Sequence, residues 1–439
     1  MRQRNSALII GATGVLGLLL LGALTVRPEF PEFVDHAGIN VPSDNVFLDY
    51  AKGIAWSAVL GVTLFLWPVS LRDRLMLCVM WAIKCTVMLG VMLPYEEHYT
   101  GLDCWGYFIG AHSMGTDFLP ALFKGGSDFV ISIGALYLKV APDSYHAMKV
   151  SFGYGGLAGI YLLYRAAVGL TRTDRPWMFW ALGLYPSVLF WSSILGKDPV
   201  VLLGISLHIW ALVRVVCYSE RKHLLTAIAG LALASIVRVW MGPIMLIPAL
   251  LLFALKIHHI GWRITTVSTV VVMLGVLAPI TASRLDVDPT TDLFASTQSF
   301  TRGWDKANSA MHPDAELNSL TDLILFTPQS FFAAYFRPLP GDLPHLFGWI
   351  AGCEDFILLL LAAFALLKVR RHHWRNHFFL WGATLLLTWG LAYSLVTYKD
   401  LGTAVRFRLQ IMPVLLGMVW FLISRPFLTW EVARNATRR

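Results

Sequence analysis

Charged residues are scarce in this sequence. Asp, Glu, Lys and Arg make up 14% of the 439 residues, whereas soluble globular proteins carry about 25%. Hydrophobic residues amount to 56%, and apolar runs repeat along the chain. No long polar segment is left that would build a separate soluble domain. We therefore predict an all-α polytopic membrane protein that forms one integral membrane domain over residues 1–439.

Cysteine is also sparse, and none of the five cysteines stands in a CxxC or a Cys/His zinc-binding spacing. Cys78, Cys85, Cys217 and Cys353 fall in or beside apolar runs, so buried, unreactive thiols are expected. The sequence lacks HExxH, GxSxG and P-loop motifs, and it gives no support to a metalloprotease, an α/β-hydrolase or an ATPase. The cofactor is left open, because no ligand spacing supports a divalent cation.

Basic residues are unevenly distributed, and this distribution excludes a nucleic-acid partner. With the N-terminus in the cytoplasm, 20 of the 35 Lys and Arg residues fall in seven short inside segments. This is the pattern of the positive-inside rule. It accounts for the net charge of +8 and predicts that both termini are cytoplasmic.

Apolar runs of about 20 residues, the length that crosses a bilayer, predict about twelve spans. They lie near 6–26, 51–70, 75–94, 144–166, 177–194, 198–218, 222–240, 241–257, 262–282, 346–368, 378–396 and 411–424. The first run has the basic start of a signal peptide, but its length and the lack of a clean A-x-A site favour a retained span. Gly242-Pro243 is expected to break the run between the seventh and eighth spans.

Three outside segments are long, near 27–50, 95–143 and 283–345. The second contains SDFVISIGALYLKVAP, which is apolar but short. We predict a helix there that lies on the outer membrane face or partly re-enters it.

Polar residues gather at the outer ends of the predicted spans. Lys197 and Asp198 fall between the fifth and sixth spans, where an ordinary polar turn is an alternative interpretation. The stretch 95–118 mixes Glu96, Glu97, Asp103 and Asp117 with aromatic residues. Carboxylates beside aromatic rings suit a sugar site, in which the ring stacks on the sugar and the acid accepts a proton. An interfacial aromatic belt with solvated acids fits these residue types equally well.

Arginines at the outer end of the last span run against the inside bias. Arg406 and Arg408 precede this span, and the guanidinium fork suits phosphate. They would bind either a specific lipid-phosphate substrate or ordinary headgroups. Arg337, Asp342 and His345 stand among three prolines in 335–349, which would hold these side chains in a fixed loop.

A further group of ionisable residues falls inside the apolar runs. Lys84 is in mid-run, Arg238 is near an outer end, and Glu354-Asp355 begin the tenth span. Such residues usually face the protein interior and have a partner. The sequence is compatible both with structural pairing of Lys84 with the acids and with the lining of a polar cavity.

Several of these segments together resemble a known family. PSVLFWSSILGKDPVVLLGISLHIWAL, LDCWGYF, YFRPLP with a following acidic residue, and AVRFRLQIMPVLL resemble segments of the bacterial GT-C glycosyltransferases, in particular the protein mannosyltransferase and lipid A aminoarabinose transferase group. The resemblance covers about residues 100–425, and the order of the motifs carries it. It implies a twelve-span GT-C-like fold in the bacterial inner membrane, with juxtamembrane helices and loops on the outer face.

The resemblance also implies a reaction and a set of site residues. A sugar would pass from a polyprenyl-phosphate carrier to a glycan, lipid or protein acceptor in surface polysaccharide or glycoconjugate assembly. Asp103 would be the base, Asp198 a second acid, and Lys197 the cation near the phosphate, while Arg406 and Arg408 would hold the carrier. We add Tyr107, Arg238, Arg337 and His345 as substrate-binding candidates. The family motif usually follows the first span, whereas Asp103 follows the third.

Two other functions remain open on sequence grounds. An O-antigen or exopolysaccharide polymerase or ligase would also act on lipid-diphosphate glycans at the outer face, but it would depend on arginines and a histidine, and not on Asp103. A lipid or solute transporter would spread charged residues through the midplane on broken helices. The glycosyltransferase hypothesis requires that the acid, the lysine and the arginines gather around one extracytoplasmic pocket.

Overall fold

The computed structural model describes residues 29–115, 118–256, 268, 320–397 and 400–424. The predicted spans 6–26 and 262–282, most of the outer segment 283–345, and Asp117 lie outside these residues. Every secondary-structure element formed by the described residues is a helix, so the all-α prediction is confirmed for this part of the chain.

The helices of the N-terminal half begin with short elements and lead into longer ones. In chain order they are α1 Glu29–Ala37, α2 Val46–Thr63, α3 Leu71–Thr86, α4 Met92–His98, α5 Asp103–Ser113, α6 Phe118–Ala121, α7 Gly126–Leu138, α8 Tyr145–Thr171, α9 Pro176–Gly183, α10 Pro186–Trp191 and α11 Lys197–Tyr218. A π-helical turn, Val87–Val91, joins α3 to α4, so that Leu71–His98 runs as one helical segment.

The C-terminal half continues with α12 Leu224–Val237, α13 Met241–Lys256, α14 Leu320–Phe336, α15 Leu346–Leu366, α16 His377–Thr397, α17 Leu401–Arg408 and α18 Met412–Ile423. Short 3₁₀ turns occur at Leu64–Leu66, Arg221–His223 and His373–Arg375.

Three helical segments in the described ranges are long and apolar enough to cross a membrane: Leu71–His98, Lys197–Tyr218 and Leu346–Leu366. The pair α17 and α18 passes the same test as one span bent by 68°. The helix α15 leaves large apolar side chains exposed along its length, among them Trp349, Phe356 and Leu360. Lipid is the solvent that such a surface fits, and these segments are consistent with insertion into a membrane.

Two predicted spans differ in detail from the helices observed. Residues 177–194 form two short helices, because Pro186 disfavours helical geometry at the preceding Tyr185, which is extended. Gly242-Pro243 does not break the chain as expected. It lies in the first turn of α13, where proline is tolerated because the N–H groups of a first turn have no acceptor within the helix. The interruption between the two helices falls at 238–240 instead.

The helices form two compact units. The first comprises the described residues up to 164, together with 177–207 and 232–238. Its apolar core joins the packed pair α5 and α7 to the start of α8, through Trp105, Phe108, Val130, Met148 and other buried side chains. The helix predicted within SDFVISIGALYLKVAP is present as α7, which packs against α5, whereas its position at the outer membrane face stays a prediction.

The second unit comprises residues 165–176, 208–231 and the described residues from 239 onward. Here α16 packs against both α13 and α14, and α18 packs against α15 and α16. Trp389 and Tyr393 of α16 are fully buried and stack on each other with ring centroids 4.6 Å apart. These rings are part of the buried core of the second unit.

Candidate functional site

The first unit contains a helix interruption at residues 192–196, between α10 and α11. The buried ammonium of Lys84, on α3, lies against it. Its Nζ donates to the carbonyl oxygen of Ser192 at 3.0 Å and to the hydroxyls of Ser192 and Ser193 at 2.7 Å each. These three oxygens match the three N–H groups of a lysine. Lys84 therefore fixes the interruption, and the partners that these contacts give it are serines and not the acids of the apolar runs.

Lys197 and Asp198 form the first turn of α11 and are not turn residues facing solvent. Asp198 is 1% exposed, and its carboxylate accepts from Nη2 of Arg238 at 2.8 Å. Arg238, 5% exposed, directly follows α12. The positive end of the α11 dipole also favours a carboxylate in this turn. The pair ties the start of α11 to the end of α12, and Lys197 beside it is half-buried.

Tyr107 connects the helix of Asp103 to the same interruption. A Cβ placed on Gly196 would lie 3.3 Å from Cε2 of Tyr107, so the ring packs directly on this residue. Asp103 opens α5 and is exposed. It stands four residues before Tyr107, which is one helical turn on the same side of α5. Thus Asp103, Tyr107, Lys197, Asp198 and Arg238 all belong to one compact unit.

Half-buried aromatic rings surround Tyr95 near the end of α4. Its ring centroid lies 4.7 Å from that of Tyr99, 5.2 Å from that of Phe190 and 6.3 Å from that of Trp191. Phe190 and Trp191 are the last residues of α10, immediately before the interruption that Lys84 holds. Aromatic rings with polar edges are suited both to sugar faces and to a membrane interface.

A buried polar cluster at the start of α8 was missed by the sequence analysis, apart from Glu96. Lys149 donates to both carboxylate oxygens of Glu96 at 2.9 Å, and the hydroxyl of Tyr145 donates to the same carboxylate at 2.7 Å. Tyr145 also contacts Sγ of Cys104 at 3.2 Å. The cluster joins α4, which carries Tyr95, to the residue that follows Asp103. The sequence feature that could have revealed this cluster is Lys149, a lysine within an apolar helical run.

A second buried pair at the start of α8 also escaped the sequence analysis. Asp49 accepts from Nδ1 of His146 at 2.5 Å and from the backbone N–H groups of Tyr145 and His146. Ser144 caps the helix by accepting from the N–H of Ala147. Asp49 thus satisfies helix N–H groups that would otherwise lack partners. The spacing of Ser144, His146 and Lys149 near a helix start was the signal.

In the second unit, Arg408 is 1% exposed and fully committed to protein groups. Its Nη1 pairs with the buried carboxylate of Asp355, its Nε donates to the carbonyl of Ala334 at 3.1 Å, and its Nη2 donates to the carbonyl of Arg337. The resemblance assigned this arginine to carrier phosphate. The structure uses it to join α14, α15 and α17. Arg406 of the same helix is half-buried.

The proline-rich segment 337–345 is held by its own polar residues. Arg337 donates two hydrogen bonds to Asp342, at 2.8 and 2.9 Å, and these bonds hold the pKa of the Asp342 carboxyl below its ordinary value. His345 caps α15, because its Nδ1 accepts from the N–H of Gly348 at 3.0 Å. The expected fixed loop is present, and both predicted binding residues have structural contacts there.

The nine predicted site residues divide between the two units. Asp103, Tyr107, Lys197, Asp198 and Arg238 belong to the first unit, and the remaining four are Arg337, His345, Arg406 and Arg408 of the second. Their gathering around one pocket stays a prediction. No group of three or more His, Cys, Asp and Glu side chains that could hold a metal ion occurs within the described ranges. Of the four cysteines expected to be buried, Cys85 is buried, Cys78 and Cys217 are half-buried, and Cys353 is exposed.

Comparisons of this chain with protein-family models, with curated proteins and with solved structures gave no match.

Proposed function

We propose that this protein is a membrane glycosyltransferase that moves a sugar from a polyprenyl-phosphate carrier to an acceptor on the extracytoplasmic face. The proposal includes a GT-C-like topology of about twelve spans, with both termini in the cytoplasm of a bacterial inner membrane. The observation that carries it is the packing of Tyr107 on Gly196. This contact joins the helix that begins at Asp103 to the turn that begins with Lys197.

The proposed reaction is a displacement at the anomeric carbon. The oxygen of an acceptor hydroxyl bonds to this carbon as the bond from carbon to phosphate oxygen breaks. The carrier phosphate leaves with the electron pair, and the carboxylate of Asp103 takes the acceptor proton. Lys197 would stabilise the negative charge that grows on the departing phosphate. The buried pair of Asp198 and Arg238 makes Asp198 a positioning residue for Lys197.

The exposed position of Asp103 supports its role, because a base has to reach the acceptor. The aromatic residues around Tyr95 support a sugar substrate, since two of them, Phe190 and Trp191, lie directly before the interruption that leads to Lys197. The acceptor class is a glycan, a lipid or a protein in surface polysaccharide or glycoconjugate assembly. Divalent cations are left to experiment, because the proposed step uses residues of this chain only.

The experiment is a carrier-release assay with the purified protein in nanodiscs and polyprenyl-phosphate sugars as donors. We expect release of polyprenyl phosphate, and we expect Asp103→Asn to lower its rate by about 10²- to 10⁴-fold, the usual contribution of a general base. Asp128→Asn is the matched control, because Asp128 occupies the first turn of α7, the helix packed on α5. Full activity of Asp103→Asn would favour the polymerase or ligase, with lipid-diphosphate glycans as substrates. Absence of release from every donor tried would reject the transferase.

A transporter is a second candidate, and the buried charges of the first unit favour it. Glu96 with Lys149, Asp49 with His146 and Asp198 with Arg238 are each buried pairs on helices. Ionisable residues inside membrane helices often mark ion or substrate pathways. Uptake of a lipid or solute by proteoliposomes, abolished by Glu96→Gln without any carrier release, would select this function over the transferase.

A further inference from the structure

The connection between α15 and α16, residues 367–376, is rich in cations, and we call it the basic loop. Its exposed cationic side chains are Lys368, Arg370, Arg371 and Arg375. The sequence contains no Asp or Glu between Asp355 and Asp400. Within the part of the chain that the structure describes, no carboxylate lies within 4.0 Å of the nitrogens of these four side chains. Their positive charges are therefore not neutralised by ion pairs with described residues.

The backbone of the basic loop is held by its own hydrogen bonds. The N–H of Arg370 donates to Nδ1 of His373 at 2.9 Å, and the N–H of His373 donates to the carbonyl of Arg370 at 3.0 Å. The ring of His373 packs near Phe379 of α16 and Phe421 of α18, with centroid distances of 5.8 and 5.6 Å. The turn that carries Arg370 and Arg371 is thus anchored to two helices of the second unit.

Exposed apolar side chains border the basic loop. Leu366 ends α15 and Leu367 follows it, and they are 68% and 83% exposed, while Trp374 within the loop is 54% exposed. Nζ of Lys368 lies over the ring of Phe364, 4.9 Å from its centroid, and Phe364 is an exposed residue of α15. Cations and tryptophans beside outward-facing apolar side chains are typical of the boundary between lipid headgroups and acyl chains.

We propose that the basic loop binds the headgroup of an anionic phospholipid of the phosphatidylglycerol type. The guanidinium groups would donate to the phosphate oxygens, and the exposed leucines and Trp374 would contact the start of the acyl chains. A zwitterionic headgroup carries an ammonium that these cations repel. Clusters of about four to eight Lys and Arg directly beside a membrane helix are typical of anionic-lipid recognition. The inference rests neither on the proposed glycosyltransferase activity nor on the orientation of the chain.

A second 3₁₀ turn, Arg221–His223, provides a matched comparison in the same unit. It also exposes two cations, Arg221 and Lys222, and exposed leucines of α12 follow it. The difference is an acid, because Glu220 directly precedes this turn and pairs with His223 at 2.9 Å. A negative charge within the cluster weakens its attraction for an anionic headgroup, so this turn is expected to bind such lipids less tightly than the basic loop does.

The test is native mass spectrometry of the full-length protein, titrated in ammonium acetate with phosphatidylglycerol and with phosphatidylcholine of the same acyl chains. The wild type is expected to bind phosphatidylglycerol at least about twenty-fold more tightly. Arg370→Gln with Arg371→Gln should lower this preference by about twenty-fold, since each cation near an anionic lipid contributes roughly five-fold. Arg221→Gln with Lys222→Gln removes the same charge and should lower the preference by less than about three-fold, because Glu220 already offsets these cations.

An unchanged preference after the substitution of Arg370 and Arg371, or equal losses in the two double variants, would overturn the assignment to the basic loop. Displacement of phosphatidylglycerol by an excess of inorganic phosphate would overturn the lipid and show a site for free phosphate. The wild type alone gives a further check. Its preference should fall by at least about three-fold between about 0.1 and about 1 M salt, as the Debye length shrinks from about 10 to about 3 Å. A preference independent of salt would also reject the proposal.

Discussion

Two helix interruptions of this protein, at 192–196 and at 409–411, each have a buried cation beside them, but the partners of the two cations differ. At residues 192–196 a buried lysine meets three neutral oxygens of Ser192 and Ser193. Beside residues 409–411 a buried arginine meets one carboxylate and two carbonyls. The first interruption uses its cation to hold its backbone in place. The second neutralises its cation with the carboxylate of Asp355. A buried cation near a break is thus not by itself a binding group.

The largest effect expected from this comparison is that of Arg408→Met. The change would leave the carboxylate of Asp355 buried without its cation and would remove donors from two carbonyls. Breaking a buried pair from one side costs about 3–5 kcal/mol. We expect this loss in the free energy of unfolding, measured by denaturation in mixed micelles. The double variant Arg408→Met with Asp355→Leu should recover most of it, and failure to recover would mean that the carbonyl contacts dominate.

The next effect concerns the close packing of α8 on the first interruption. A Cβ on Gly156 would lie 2.1 Å from the carbonyl oxygen of Ser192, the atom that Lys84 contacts, whereas a Cβ on Gly155 meets nothing within 4 Å. Gly156→Ala should therefore destabilise the protein by about 1–3 kcal/mol. Gly155→Ala, its matched control, should be neutral or slightly stabilising. Equal effects of the two changes, measured by the same denaturation, would contradict the described packing.

Lys84→Met should have a smaller effect on stability than Arg408→Met. It leaves two hydroxyls and a carbonyl without their donor, but it leaves no buried charge behind, and it removes the desolvation cost of the ammonium. We expect a loss of about 1–2 kcal/mol. Because Lys84 fixes the interruption before Lys197, the variant should also lower kcat in the carrier-release assay. A loss as large as that of Arg408→Met would mean that an anion neutralises Lys84.

The smallest effect is expected from Arg337 and Asp342, which close the segment before α15. The folded-state pKa of Asp342 is lowered by its hydrogen bonds from Arg337, so this pair contributes stability above the unfolded pKa of about 4. The contribution should be lost as the pH falls through the folded pKa. For a partly exposed pair we expect about 1 kcal/mol or less. Asp342→Asn should abolish this part of the pH dependence, and an unchanged acid profile would contradict it.

Much of the fold was predictable because burial in a membrane requires long apolar runs. The runs around Leu71–His98, Lys197–Tyr218 and Leu346–Leu366 were found from hydrophobicity alone. The interruptions were harder to predict. Gly242-Pro243 had the composition of a break but lies in the first turn of a helix, where the missing N–H of proline costs nothing. The break predicted between the fifth and sixth spans is present at residues 192–196, but the lysine that holds it lies more than a hundred residues earlier, and this contact could not be predicted.

The residues of the candidate site could be predicted from the sequence, but the ion pairs that they form could not. The sequence identified Asp103, Tyr107, Lys197, Asp198 and Arg238 as residues for chemistry, and all five lie in one unit. It did not indicate that Asp198 would be paired with Arg238, or that Glu96 would be paired with Lys149. Long-range ion pairs depend on which helices pack together, and hydrophobic periodicity contains no information about that choice.

By itself the sequence predicted long apolar helices suited to a membrane, since a run of about 20 apolar residues can satisfy its backbone hydrogen bonds in lipid within one helix, and the described part of the chain is helical. Only the tertiary structure decided which polar residues are buried in ion pairs. The sequence alone does not distinguish Arg406 from Arg408, or Asp103 from Asp198. Packing buried one of each pair against an opposite charge, because a charge removed from water requires a partner, and left Arg406 half-buried and Asp103 exposed.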